Sequence, residues 1–242
     1  MINQFSRNSL ILGKDYLEKI KDKVVIIFGI GGVGGNVCDA LVRSGVSHFV
    51  LVDDDKVNIT NINRQYVANM DTIGRYKVDV MKEHILSINK DAEVEVRKCF
   101  FLKENASEFD FDKYDYIVDA IDTVSAKIEL VLQANSRKKP IISALGCGNK
   151  INPTMLEVSD ISKTSYDPLA KVMRKELRDR GIYHLKVVYS KETPIEPDKE
   201  VLEECMANEN TKKRTIPGSS PFVPPVAGII IASEVIKNLL KL

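Results

Sequence analysis

Five short segments carry residues that could act on a nucleotide. "GIGGVG" (29–34) follows the apolar run "VVIIF" and precedes a helical pattern, and Gly29, Gly31 and Gly34 fit G-x-G-x-x-G. Small residues there let the chain approach a phosphate group, and a helix N-terminus adds partial positive charge. Asp53 stands after the next apolar run at the spacing of an acid that takes ribose hydroxyls. On these facts alone a nicotinamide or flavin enzyme stays open. The stretch "LVDDDKVNITNINRQ" then adds Asp55, Asn61, Arg64 and Gln65. Lys77 opens the next helix, and Asp122 follows the strand "YIVDA". Arginine and lysine pair with phosphate oxygens, and a carboxylate can hold a magnesium ion. The set as a whole suits ATP with Mg2+.

The elements that must position these residues read as an α/β chain. Apolar runs "VVIIF", "FVLV", "YIVDA" and "PIISA" look like buried parallel strands, and "EVEVR" like a more exposed one. Helical patterns at 33–44, 77–88 and 126–137 lie between them, so a doubly wound, Rossmann-like, mostly parallel sheet is expected. The C-terminal half is less regular. It offers a helix entered at Pro168, a strand "HLKVVYS" and a final helix entered through Pro225. Residues 191–216, rich in charge, are expected to form a long mobile loop. The whole of 1–242 reads as one domain, with an ATP-binding half (1–145) and a substrate half (146–242).

The chain has 242 residues, 44% of them hydrophobic, with a formal net charge of +1. Any nucleic-acid contact must therefore come from local basic patches. Candidates are 137–139, 212–214 and the helix face of Lys171, Arg174, Lys175 and Arg178. Cys38, Cys99, Cys147 and Cys205 form no C-x-x-C pair, which argues against a zinc knuckle or a disulfide framework. No signal-peptide pattern opens the sequence, and "VAGIIIA" is far shorter than a membrane span. The cytoplasm is the expected address, with peripheral membrane association of the last helix left open.

The ordered segments "GIGGVG", "DDDKV", "NINRQ", "YKV" and "AIDT" resemble the ubiquitin-activating enzymes and their bacterial relatives that adenylate ubiquitin-like sulfur carriers. The resemblance adds Gly32 to the glycine turn. It also matches Arg7 in "FSRN" to an arginine lent across a dimer interface. It implies a homodimer in which a carboxylate attacks the α-phosphate of ATP, with Arg64, Lys77, Asp122 and Arg7 as the catalytic set. The second half, "NPTMLEVSDISKTSYDPLAKVMRKEL" with "GSSPFVPPVAGIIIASEVI", resembles one branch, the tRNA threonylcarbamoyladenosine dehydratases. That branch implies tRNA carrying the modified adenosine 37 as substrate. It also implies, for some members, a cysteine desulfurase or sulfur-acceptor partner, and a structural monovalent cation (Na+ or K+) beside magnesium is left open. Three other readings share the turn: a sulfur-carrier adenylyltransferase, a nicotinamide-dependent oxidoreductase and a nucleotide-sensing protein.

Overall fold

The computed structural model describes residues 2–209 and 216–242. Two short helices, α1 (Ser6–Leu12) and α2 (Tyr16–Ile20), precede the sheet. The chain then alternates β1 (Val24–Phe28), α3 (Gly34–Arg43), β2 (His48–Val52), α4 (Lys77–Ile88) and β3 (Glu93–Arg97). It continues with β4 (Tyr116–Asp119), α5 (Val124–Ser136) and β5 (Ile141–Ala144). After β6 (Leu156–Asp160) come α6 (Pro168–Arg178), β7 (Lys186–Ser190), α7 (Lys199–Glu209) and α8 (Val223–Leu240).

The seven strands lie in the order β3-β2-β1-β4-β5-β7-β6. All pair in parallel except β6, which runs antiparallel to β7 at the edge. Val, Ile, Leu and aromatic residues dominate β1, β2 and β4 because helices cover both faces of the sheet, and β-branched side chains suit a strand buried on both sides. The chain leaves β1 for β2 on one side and reaches β4 on the other. The crevice between the carboxyl ends of β1 and β4 is therefore the topological switch point, the usual ligand position in such sheets.

The core of one face packs α3 and α8 against β1, β2 and β4 through Val37, Leu41, Ala227, Ile231 and Val235. The helices approach closely because Gly228 faces Val33: a Cβ there would lie 2.4 Å from the Val33 carbonyl oxygen. The other face holds a cluster of Phe28, Phe101, Phe109 and Phe111, with the Phe28 and Phe101 rings edge to face at 4.8 Å.

Four features differ from the sequence expectations. The edge strand β6 and the helices α1 and α2 had no counterpart there. Part of the expected loop at 191–216 is helical, since α7 occupies Lys199–Glu209. Its first turn starts where the Asp198 carboxylate accepts from the amides of Glu200 and Val201. Residues 191–198 are irregular, while 210–215, with the basic run 212–214, lie outside the described residues. Finally, α8 is long and apolar enough to cross a membrane by length and composition, although "VAGIIIA" alone is not. Half of that stretch is buried against the rest of the chain.

Candidate functional site

The glycine turn sits in the switch-point crevice. Its first residue extends the sheet, with the Gly29 amide donating to Val52 O at 2.8 Å. Gly29 has φ +88°, and a Cβ there would meet the Ala120 carbonyl oxygen at 2.7 Å, so the turn presses against the loop that leaves β4. At Gly34, the start of α3, a Cβ would lie 1.8 Å from the Gly29 carbonyl oxygen. Glycine at 34 is what lets helix and strand meet. Gly31 is different: a Cβ there would have nothing nearer than Gln65 Nε2 at 3.9 Å. This part of the turn faces open space, where a phosphate can approach backbone amides.

The N-x-x-R-Q segment lies over that space. Asn61 ends a short 3-10 turn (Ile59–Asn61), and its side chain accepts from the Asn58 amide. The chain then folds back over the glycines. Gln65 is buried beside Gly31, its Oε1 without a partner in the protein. Arg64 Cγ would lie 3.5 Å from a Cβ at Gly32, and the guanidinium donates to Thr60 O (2.9 Å) and Asn63 Oδ1 (2.8 Å). Asn63 in turn donates to Ser219 O at 2.8 Å, and Pro224 at the start of α8 flanks Gly32. The C-terminal strap and α8 thus wall the site from the far side.

The acids after β2 form a linked row. Asp53 accepts from the Ile30 amide (2.6 Å) and the Asp55 amide (2.8 Å). Burial pushes the Asp53 carboxyl above its ordinary range, opposed by the Lys77 charge and by these two amides. Asp55 pairs with Lys77 at 2.7 Å, and the Lys77 amide bonds Asp55 O, so the start of α4 is tied to the end of β2. Among the described residues, Asp53, Asp54 and Asp55 alone have carboxylate spacing that would suit a cation. Two of those three carboxylates already serve Ile30 and Lys77.

The structure therefore brings together Gly29, Gly31, Gly32, Gly34, Asp53, Asp55, Arg64, Gln65 and Lys77, with Asn61 shaping the turn beside them. Asp122 is exposed on the loop that follows β4, two residues beyond the Ala120 carbonyl that touches Gly29. Arg7 does not join them. The next residue, Asn8, donates to Arg43 O at the C-terminal end of α3. At 1.5 Å per residue that is about 13 to 14 Å from Gly34. Within one chain Arg7 lies far from the glycine turn.

Two buried ion pairs were missed in the sequence. Lys127 on α5, fully buried, donates to both oxygens of Asp119 at the end of β4 and to Ala144 O at the end of β5. Lys150, also buried, donates to Asp167 Oδ2 (3.1 Å), Gly146 O (2.7 Å) and Ser190 O (3.1 Å). Asp167 caps α6 through the Ala170 amide. Together these lysines fix the carboxyl ends of β4, β5 and β7 beneath the site. The signal was a lysine inside an otherwise largely apolar helical run, "AKIELVL", because a charge buried there needs an acid partner. Cys147 packs against the core beside this network, its thiol donating to Leu145 O. Burial pushes that thiol up to about 12, so it is not held as the thiolate that a nucleophile needs.

The basic segments separate. Residues 137–139 precede β5 at the amino edge of the sheet, away from the crevice. Two surface grooves of about 460 and 590 Å3 lie at that same edge, lined by residues such as Lys139 and His184 or His48 and Glu93. Neither contains the glycine turn.

Residues 5–242 match the ThiF family. The tRNA threonylcarbamoyladenosine dehydratase of Bacillus subtilis (strain 168) is 44% identical over 100% of this chain and 96% of its own length. That of Escherichia coli (strain K12) is 31% identical over 98% of this chain and 93% of its own. The crystal structure of E. coli tRNA N6-threonylcarbamoyladenosine dehydratase in complex with ATP superimposes with a TM-score of 0.87 at 30% identity. It covers 98% of this chain and 94% of that one. The chain belongs to the ThiF family and, within it, to the tRNA threonylcarbamoyladenosine dehydratases.

Proposed function

We propose that this protein is an ATP-dependent tRNA threonylcarbamoyladenosine dehydratase that closes the threonylcarbamoyl group of adenosine 37 into a ring. The observation that carries the reading is the seating of Arg64 and Gln65 on Gly32 and Gly31. A nicotinamide enzyme needs the glycine turn and the acid but has no use for an arginine packed on the turn. The residues fit ATP: an open cradle at Gly31, an orphaned Gln65 oxygen, an acid for ribose, and two cations.

The chemistry has two steps. A threonine carboxylate oxygen attacks the α-phosphorus of ATP. The new O–P bond forms as the bond to the β-phosphate bridging oxygen breaks, and pyrophosphate leaves. The carbamoyl nitrogen of the same nucleoside then attacks the activated carbonyl carbon. A C–N bond closes a five-membered ring, the C–O bond to AMP breaks, and the nitrogen loses its proton. The net change is loss of one water from the nucleoside. Attack within one molecule needs no enzyme nucleophile, which agrees with a Cys147 thiol pushed up to about 12.

Arg64 and Lys77 are proposed to neutralise the charge that develops at the α-phosphate, the term expected to dominate. Magnesium, when bound, supplies further charge compensation on the triphosphate, and Asp122 is the carboxylate proposed to hold it. Arg7, remote from its own glycine turn, would act in the site of a second copy, so we propose a homodimer. A cytoplasmic address, action of the whole chain as one adenylating unit, and a structural monovalent cation belong to the same proposal.

The test is mass spectrometry of nucleosides from threonylcarbamoylated tRNA incubated with the protein and ATP. A product lighter by one water, formed with AMP and pyrophosphate, is expected. Unchanged nucleoside with ATP intact would reject the reading. Adenylation of a sulfur-carrier C-terminus instead would favour the sister branch.

A further inference from the structure

We propose that Tyr166 and the cationic face of α6 form a docking surface for a single-stranded RNA loop, with the Tyr166 ring as a stacking platform for one base. The inference rests on the dehydratase reading and says where its substrate is held.

Tyr166 is an unusual residue. Its φ is +58°, in the left-handed region, and its side chain is 75% exposed. A bulky residue there is a backbone outlier, held only where its surroundings over-determine it. The surroundings do so here. The next residue, Asp167, is buried, caps α6 and takes the Lys150 ammonium, which also holds Gly146 and Ser190. A Cβ at Gly146 would lie 2.1 Å from Asp167 Oδ2, so the contact is close. This network presents an aromatic ring to solvent beside the carboxyl ends of β5 and β7. Hydrophobic burial does not explain the placement. Base stacking on an exposed aromatic does, because every base has a flat apolar face and unpaired loop bases are free to use it.

The charges around the ring match a phosphate backbone. Lys171, Lys175 and Arg178 recur at helical spacing on α6 and are exposed, and Lys163 is exposed just before Tyr166. Among the described residues none of these four has an ion-pair partner. Arg174 shows which way their face points. Its guanidinium donates to Thr164 O (2.8 Å) and Ile161 O (3.3 Å), turning that side of α6 toward the 161–164 segment. Lys163, Tyr166 and the helix cations therefore share one surface. Arg174 itself is a structural tie rather than a phosphate contact, which corrects its place in the expected basic face. A chain of net charge +1 thus concentrates uncompensated positive charge where a ring is also on offer.

The experiment uses the full chain and a fluorescent anticodon stem-loop RNA, with binding followed by anisotropy across a salt series. Tyr166→Gly removes the ring and relieves the positive φ, so its folding is safe and its thermal midpoint should hold or rise. Its affinity for the RNA should fall about 5- to 150-fold, the range expected for one stacked base. Tyr166→Phe should bind as the wild type does. Changing Lys171, Lys175 and Arg178 together to Glu should weaken binding and flatten the salt slope by about three contacts, while ATP affinity stays the same. Unchanged RNA affinity in Tyr166→Gly overturns the stacking platform, and an unchanged slope in the triple variant overturns the cationic face. The two readings fail separately. The dehydratase reading falls if wild type with ATP leaves the modified nucleoside uncyclised, whereas the docking surface is judged by the variants' RNA affinity alone.

Discussion

The Lys77 ammonium lies 2.7 Å from the Asp55 carboxylate, with the lysine side chain 6% exposed and the aspartate 65% exposed. The cation is fixed and desolvated while its counter-ion stands in water and can turn away. Such an asymmetric pair suits a lysine that must face an incoming phosphate.

Lys77→Ala should therefore lose transition-state charge compensation worth about 2 to 4 kcal/mol, a slowing of roughly 30- to 1,000-fold. ATP affinity should suffer less, because the glycine turn and Asp53 remain. Single-turnover cyclisation and an ATP titration on the same variant check the split. A normal rate in the variant removes Lys77 from the chemistry.

Asp53 predicts a pH dependence. Burial raises its carboxyl, against Lys77 and the amides of Ile30 and Asp55. An acid whose folded value is raised holds its proton more firmly in the folded chain. Its stabilising contribution is thus full below the unfolded value and is lost as pH rises through the folded one. Asp53→Asn has no such proton to lose. Relative to wild type, its urea midpoint should climb as pH goes from about 4 toward neutrality, while ATP affinity falls. A constant difference in midpoint across that range contradicts the assignment.

The buried pair of Lys127 and Asp119 predicts a stability effect distinct from catalysis. Removing one partner strands a charge in the core and costs about 3 to 5 kcal/mol. For a chain of this size that is a drop of about 6 to 20 °C in thermal midpoint. Lys127→Met should show it in a thermal scan, and Lys127→Met with Asp119→Leu should recover much of it. No recovery in the double variant would mean that the link to Ala144 O, rather than the charge pair, matters most.

Cys147 and Cys205 should respond oppositely to a thiol reagent. Cys147, half-buried and with its thiol pushed up to about 12, should resist iodoacetamide at pH 8, while the exposed Cys205 reacts. Cys147→Ala should keep cyclising activity. Rapid labelling of Cys147, or loss of activity in that variant, would point to an enzyme thiol in the chemistry.

What could be read from the sequence was local. The glycine turn, Asp53, Arg64, Gln65 and Lys77 announce themselves because strand, turn and helix follow one another in order between β1 and α4. The second half hid more. Strand β6 carries "LEVSD", too polar for a run of apolar residues, and it exists because β7 offers an open edge. The ion pairs Lys127–Asp119 and Lys150–Asp167 join residues whose partnership only the folded sheet reveals. Arg174 shared its spacing with the free cations of α6, and only the carbonyls of Ile161 and Thr164 set it apart.

The glycine turn offers the sharpest separation of folding from binding. Gly34 and Gly31 are three residues apart, yet a side chain meets opposite surroundings at each. At Gly34 a Cβ would sit 1.8 Å from the Gly29 carbonyl oxygen, a backbone atom that cannot move without displacing β1 from α3. Gly34→Ala should therefore fall in the rare class of substitutions costing more than about 4 kcal/mol, seen as poor folding whether or not ATP is present. At Gly31 the nearest atom would be Gln65 Nε2 at 3.9 Å, so Gly31→Ala should fold with a thermal midpoint close to wild type. Its new methyl would occupy the space kept open for phosphate. ATP should then bind about tenfold more weakly or worse, a loss of at least about 1.4 kcal/mol. Far-ultraviolet circular dichroism with a thermal scan, followed by calorimetric titration of ATP, separates the two outcomes. Full ATP affinity in a well-folded Gly31→Ala variant would place the triphosphate elsewhere than on this turn.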